Sequence, residues 1–131
     1  MTNTFIWIQL LEKDKITYES PLCSWIKEQV AGLLVVDFDN YSEKYLIEKA
    51  IDLLPAADKI IIEIDATENV DTGYVTRFIN KLVRIKHDAV LVIQNGNNAL
   101  IEKMIKTGRG KYIINASMSV QHTVINDFLR N

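Results

Sequence analysis

The chain has 131 residues, of which 48% are hydrophobic and 24% are charged, and these are values of an ordinary globular domain. Its formal net charge of −2 gives no electrostatic footprint for nucleic acid or for an anionic membrane. The apolar runs are about half as long as a bilayer crossing requires, and residues 1–4 lack the basic start of a secretory signal. We therefore expect one cytoplasmic domain over residues 1–131 that binds neither nucleic acid nor membrane.

Apolar periodicity changes repeatedly along the chain between short β-branched runs and longer helical stripes. Strands are predicted at residues 5–10, 33–38, 59–64, 89–93 and 111–114. Helices are predicted at 22–30, 42–54 and 72–86, between a cap at Asn97 or Asn98 and a stop at Gly108, and from Ser117 or Ser119 through 129. Residues 12–21 are ambiguous, and 15–18 fit the second strand of a hairpin. The alternation predicts an α/β domain with parallel strand pairs.

Several common chemistries have no motif in this sequence. There is no glycine-rich phosphate loop of the dinucleotide or nucleotide type. His87 and His122 are isolated from each other and from any cysteine or carboxylate at metal-ligand spacing. Cys23 is the only cysteine, so no disulfide forms within the chain. We therefore predict no catalytic residue, no metal site and no cofactor.

The most informative segment is the loop that ends at Asp71-Thr72-Gly73, between a β-branched strand and a helical pattern. Small polar residues at a helix start cap free backbone N–H groups. The same N–H groups, together with the helix dipole, favour a bound anion. The loop therefore predicts either a hydroxyl at Thr72 that accepts a phosphoryl group or a helix cap formed by Asp71 or Thr72.

Polar residues follow the other strands as well, and the carboxyl ends of parallel strands are where sites tend to lie. An enzyme or a carrier of a small ligand would use the groups at these ends, which are Asp37, Asp39, Asp65, Asp71 and Asn95. None of them pairs in the sequence with a recognisable base, nucleophile or metal set. An enzyme or small-ligand carrier of this kind is the alternative to a protein-interaction module.

Residues 34–40, with the sequence Leu-Val-Val-Asp-Phe-Asp-Asn, resemble the acidic end of the first strand in a response-regulator receiver domain. Such a domain also carries an aspartate at the end of its third strand and a lysine at the end of its fifth. Counted from Leu33, the third strand runs into Gln94-Asn95, and the chain ends about one strand and one helix early. A degenerate receiver, or a flavodoxin-like domain for a small ligand, requires that residues 5–10 form strand one.

A broader resemblance covers residues 32–128 and follows the order of elements in a STAS domain, the module shared by sulfate transporters and bacterial anti-sigma factor antagonists. The strand at 59–64 and the loop Val70-Asp71-Thr72-Gly73 correspond to the family's strand and its Asp-Ser-Ser/Thr-Gly motif, with one hydroxyl residue fewer. The resemblance implies a STAS-like mixed sheet of about four to five strands in alternating β-α order. Residues 1–31 would then be an N-terminal extension packed on the domain, which either adds an edge strand and a covering helix or occupies the usual partner surface.

The resemblance to anti-sigma factor antagonists also implies a function. The chain would be a non-catalytic regulatory module in bacterial signalling, bound by a protein partner such as an anti-sigma-type kinase and switched by phosphorylation at Thr72. The residues implied for the switch loop and the partner surface are Asp71, Gly73, Asp65, Asp37 and Asn95.

Overall fold

The computed structural model describes residues 2–85, 87–108 and 110–130, and its centre is one five-stranded sheet. The strands are β1 (Asn3–Leu10), β2 (Leu34–Asp39), β3 (Lys59–Ala66), β4 (Val90–Gly96) and β5 (Lys111–Ile114). They lie in the order β2-β1-β3-β4-β5, and each neighbouring pair is parallel. This is one of the common orders of doubly wound α/β sheets, with its topological switch point between β1 and β3.

Five α-helices cover the two faces of the sheet: α1 (Pro21–Gln29), α2 (Lys44–Leu53), α3 (Val75–Leu82), α4 (Ala99–Ile105) and α5 (Met118–Arg130). Residues of α1 and α5 pack on one face against alternate residues of the strands, among them Phe5, Trp7, Ile61 and Ile93. Residues of α2, α3 and α4 pack on the opposite face, against Ile6, Ile8, Ile62 and Val92. None of the helices in the described ranges is long and apolar enough to cross a membrane.

The sequence explains why β1, β3 and β4 are central. Each is an almost continuous apolar run, which suits a strand that is covered by helices on both faces. Glu63 interrupts the run of β3, yet its side chain is 4% exposed and faces the same side as Ile61. By contrast, β2 and β5 carry exposed or half-buried residues along most of their lengths, as edge strands do.

The predicted α/β alternation with five strands is confirmed, but several finer predictions are wrong. The sheet is all-parallel rather than mixed, because a helix crosses over between each pair of consecutive strands. β1 is an interior strand rather than an added edge strand, since it pairs with both β2 and β3. No hairpin strand forms at 15–18, where a short 3-10 turn at Lys13–Lys15 leads into a loop. The third helix begins at Val75, not at Thr72, and the last residue of its predicted range, Lys86, lies outside the described residues.

Gly96, at the carboxyl end of β4, provides a test of the sheet's packing. Its φ is +80°, and a Cβ atom built there would lie 2.0 Å from the carbonyl oxygen of Ala66 on the neighbouring strand. We expect Gly96→Ala to combine backbone strain with this clash and to lower the free energy of unfolding by about 3 kcal/mol or more, measured by urea denaturation.

Gly32 is the matched control, because its φ is +71° but nothing lies within 4 Å of a Cβ built there. Gly32→Ala should therefore cost only the strain of the left-handed conformation, about 1 kcal/mol. Equal destabilisation by the two variants would contradict the close approach of β3 to Gly96.

Candidate functional site

The carboxyl ends of β1, β2 and β3 are joined by the side chain of Asn40, which is 6% exposed. Its Nδ2 donates to the carbonyl oxygen of Leu11 at 3.2 Å and to that of Asp71 at 2.8 Å. Its backbone N–H donates to Gln9 at 3.1 Å. One amide therefore holds the loops after three neighbouring strands at the switch point, where doubly wound folds commonly bind ligands. Asn40 directly follows β2 in the sequence, but nothing in the residue pattern marks it as a bridge.

The loop that contains Thr72 forms a tight turn before α3. Asp71 caps the turn, since its Oδ1 accepts a hydrogen bond from the Gly73 N–H at 2.8 Å. Gly73 has a φ of +54°, and a Cβ built there would lie 2.3 Å from the Asn40 carbonyl oxygen. Thr72 is half-buried, and its carbonyl oxygen accepts the N–H of Val75, the first residue of α3, at 3.1 Å. Thr72 thus precedes the helix by a turn, and its role as a phosphoacceptor stays a prediction.

Asp65 and Asn95, which the sequence places at the ends of two different strands, are hydrogen-bonded to each other. Asn95 Nδ2 donates to Asp65 Oδ1 at 2.9 Å, and the indole Nε1–H of Trp7 donates to Asp65 Oδ2 at 2.7 Å. The Nε2 group of Gln121 on α5 donates to Asn95 Oδ1 at 2.8 Å. Both side chains are therefore engaged by protein groups on the face of the sheet that α1 and α5 cover.

Glu63 extends this network to the first turn of α1. The hydroxyl of Ser20 donates to Glu63 Oε1, and Asn95 Nδ2 lies 3.3 Å from Glu63 Oε2. Ser20 is also the N-cap of α1, where its Oγ accepts the N–H of Cys23 at 3.1 Å. Sequence analysis missed Glu63, although a single carboxylate in a strand of buried isoleucines is a signal that could have identified it.

The pKa of Glu63 is raised from 4.5 to about 7, mainly by burial and also by the nearby charge of Asp65, against a lowering effect of the Ser20 hydrogen bond. Protonation removes the cost of placing two negative charges side by side away from water. The carboxyl group of Glu63 is therefore able to hold a proton near neutral pH.

Asp37 is not part of this network. It lies on the edge strand β2, where Trp7 of β1 separates it in register from Glu63 of β3. It is exposed, and it lines two cavities that also share Tyr18. The first has a volume of about 350 Å³ and lies against α1, and the second has a volume of about 320 Å³ and lies against the start of α2. We call this pair of cavities the β2 groove, which is lined by Trp7, Gln9, Ile16, Thr17, Tyr18, Glu19, Ser20, Cys23, Ser24, Lys27, Val35, Asp37, Phe38, Asp39, Ser42 and Leu46.

The residues predicted for the site are thus divided among three places. Asp71 and Gly73 shape the turn beside Asn40, Asp65 and Asn95 belong to the buried network, and Asp37 lies in the β2 groove. Within the described ranges, no three histidine, cysteine, aspartate or glutamate side chains are grouped as they would be to hold a metal ion. Comparisons of the chain with protein-family models, with curated proteins and with solved structures give no match.

The buried carboxyl of Glu63 predicts a pH dependence of stability. Its pKa is higher in the folded chain than in the unfolded chain, so the folded state binds the proton more tightly. Its contribution is complete below about pH 4.5 and is lost as the pH rises through about 7. We expect Glu63→Gln, which does not titrate, to gain stability relative to the natural chain between pH 5 and 8, by an amount on the order of 2–3 kcal/mol.

The measurement is urea denaturation of both proteins across this pH range. Glu28→Gln is the matched control, because Glu28 is exposed on α1 and its replacement should leave the pH profile of the natural chain unchanged. A Glu63→Gln curve that runs parallel to the natural one at every pH would show that Glu63 does not hold its proton in the folded state.

Proposed function

We propose that this chain is a non-catalytic protein-interaction module of a signalling pathway, built on a receiver-like α/β scaffold that does not transfer phosphate. With residues 3–10 as the first strand, the count of strands and helices fits the degenerate receiver named above. The order and the parallel direction of the strands favour this scaffold over the mixed sheet of a STAS domain. Membership of the STAS family, and with it an anti-sigma-type kinase as partner, stays a prediction.

The observation that carries the proposal is the set of residues at the strand ends where a receiver has its reactive groups. β1 ends in Gln9-Leu10 instead of acidic residues, and the residue after β5 is Asn115 instead of lysine. Gln9 is occupied by the loop that follows β1, because its side chain bonds the backbone N–H and carbonyl of Thr17 at 3.0 and 2.8 Å. The Asn115 side chain is bonded to the end of β4 and to the residue after it, since its Oδ1 accepts the Gly96 N–H at 2.7 Å and its Nδ2 donates to Asn97 Oδ1 at 3.0 Å.

The third position does carry carboxylates, but protein groups donate hydrogen bonds to them, and Glu63 is buried while Asp65 is half-buried. Asp65 at the end of β3 accepts hydrogen bonds from Trp7 and Asn95, and Glu63 accepts one from Ser20. A carboxylate that reacts with a phosphoryl donor has to reach it and needs a cation to balance the charge. The end of β1 has no acidic residues that could hold such a cation, and no lysine after β5 could take its place.

Binding to a protein is supported by the large side chains that the chain exposes near β2. Tyr18 and Leu46 line the β2 groove and are 92% and 52% exposed. Tyr41 and Tyr45, between β2 and the first turn of α2, are also exposed. Tyrosine is among the residues that contribute most to protein interfaces, because it combines a large apolar ring with a polar end.

Small-ligand binding is the second candidate, and the observation in its favour is the size of the cavities in the β2 groove. Volumes of about 350 and 320 Å³ fall at the lower end of the range for ligand pockets. Two of the five residues of that hypothesis, Asp37 and Asp39, line the groove. The other three are engaged in the hydrogen bonds described above, which favours the interaction module.

The proposal predicts that the chain is inert towards a small phosphoryl donor. Incubation with acetyl phosphate and Mg²⁺ should leave the intact mass of the protein unchanged, because the described residues bring no three acidic, histidine or cysteine side chains together that could hold the metal at Asp65. Mass spectrometry of the undigested chain is the measurement. A phosphoryl adduct on the natural chain that disappears in Asp65→Asn would overturn the proposal.

A further inference from the structure

The outer edge of β2 presents backbone groups that the sheet does not use. In a parallel strand, alternate residues direct both their N–H and their C=O to the same side. Asn40 donates its N–H to Gln9 of β1, whereas Asp39 donates to the Oγ of Ser42, outside the sheet. By this alternation the N–H and C=O groups of Val35 and Asp37 face away from β1. They are available to an additional strand.

The β2 groove lies on both sides of this edge. One cavity is bounded by α1 through Ser20, Cys23 and Lys27. The other is bounded by Ser42 and by Leu46 of α2. Side chains of a β-strand point alternately to the two faces of a sheet. A strand added beside β2 would therefore direct successive side chains towards the two cavities.

The charges around the groove define the chemistry of such a strand. Three carboxylates line it, those of Glu19, Asp37 and Asp39, against one ammonium group, that of Lys27. Among the residues described, Asp37 has no hydrogen bond or ion pair, and it lies at the point where the two cavities meet. The cavity against α2 is lined by Asp37 and Asp39 without any basic residue. The surface is complementary to a lysine or arginine side chain.

We propose that the edge of β2 binds an extended, basic segment of a partner protein, which adds to the sheet as a sixth strand and places a lysine or arginine side chain at Asp37. The inference rests on the proposed function, since it specifies the partner of that interaction module. Main-chain hydrogen bonds to Val35 and Asp37 provide affinity that is independent of sequence. The carboxylates and the ring of Tyr18 select the side chains.

The test is an NMR titration of the ¹⁵N-labelled chain with two synthetic hexapeptides, one alternating valine and lysine and the other alternating valine and glutamate. The basic peptide should give saturable shifts that are largest at the amides of Val35 and Asp37. The acidic peptide should give none. Added salt should weaken the binding, because the charges involved are exposed.

Two variants separate the contributions of charge and contact. Asp37→Asn should weaken the basic peptide about three- to fivefold, as expected for one partly exposed ion pair. Asp127→Asn on α5 is the matched control, because it removes one exposed carboxylate that does not line the β2 groove and should leave the affinity unchanged. Tyr18→Ala should also weaken binding. Because the side chain of Tyr18 is 92% exposed, its removal should not impair folding, so the weaker binding would report a lost contact with the peptide.

The inference is overturned if the basic peptide gives no saturable shifts at millimolar concentration, if its shifts centre on another edge, or if the acidic peptide binds equally well. Such a failure is distinct from that of the proposed function. If the chain neither binds the basic peptide nor reacts with acetyl phosphate, only the inference of a basic partner is rejected. A chain that becomes phosphorylated loses the proposed function, whatever it binds at β2.

Discussion

The side-chain amide of Asn40 determines what the carboxyl end of this sheet is able to do. A primary amide has two donors and one acceptor, so one buried residue satisfies backbone groups from several segments at once. Here it joins the loop after β1 to the loop after β3 across the switch point. In related topologies, that crevice receives the ligand. In this chain the Asn40 side chain links the two loops that border this crevice.

The second constraint is the pair of carboxylates of Glu63 and Asp65, which lie on the face of the sheet covered by α1 and α5. Their partners are neutral donors, namely the Trp7 indole, the Ser20 hydroxyl and the Asn95 amide, and no lysine or arginine among the described residues takes part. Neutral donors offset the desolvation of one charge better than that of two, so the raised pKa of Glu63 is the expected response. The network also links the start of α1 to β3 and β4, and α5 joins it through Gln121.

Much of the architecture could be predicted from the sequence because it depends on local signals. Each strand is a short β-branched run, and the helix predicted at 22–30 lies within one residue of the observed α1. Strand order was not predictable from such signals, since the position of β1 depends on long-range pairing with both β2 and β3. The error at Thr72 has a similar cause. The turn is set by the close approach of Gly73 to Asn40, which lies 33 residues away in sequence, and the helix starts only beyond it.

The site was predictable only where its residues lie at strand ends. Asp65 and Asn95 meet because parallel neighbours finish at the same edge of the sheet, so their proximity follows from a correct assignment of β3 and β4. Asn40 and Glu63 were missed for the opposite reason. Their importance comes from burial and from partners 29 to 43 residues away, which local residue patterns do not encode.

The outer edge of β2 differs from the carboxyl ends of the strands, where side chains are hydrogen-bonded to one another. Because β2 is an outermost strand of the described sheet, the backbone groups of Val35 and Asp37 face outward. An exposed edge strand invites uncontrolled pairing, and charged side chains on it are a common protection, since two copies of the same edge then repel each other. Asp37 and Asp39 have this effect on β2. The repulsion that prevents self-pairing becomes attraction for a strand of opposite charge, so the same two carboxylates protect the edge and define what it accepts.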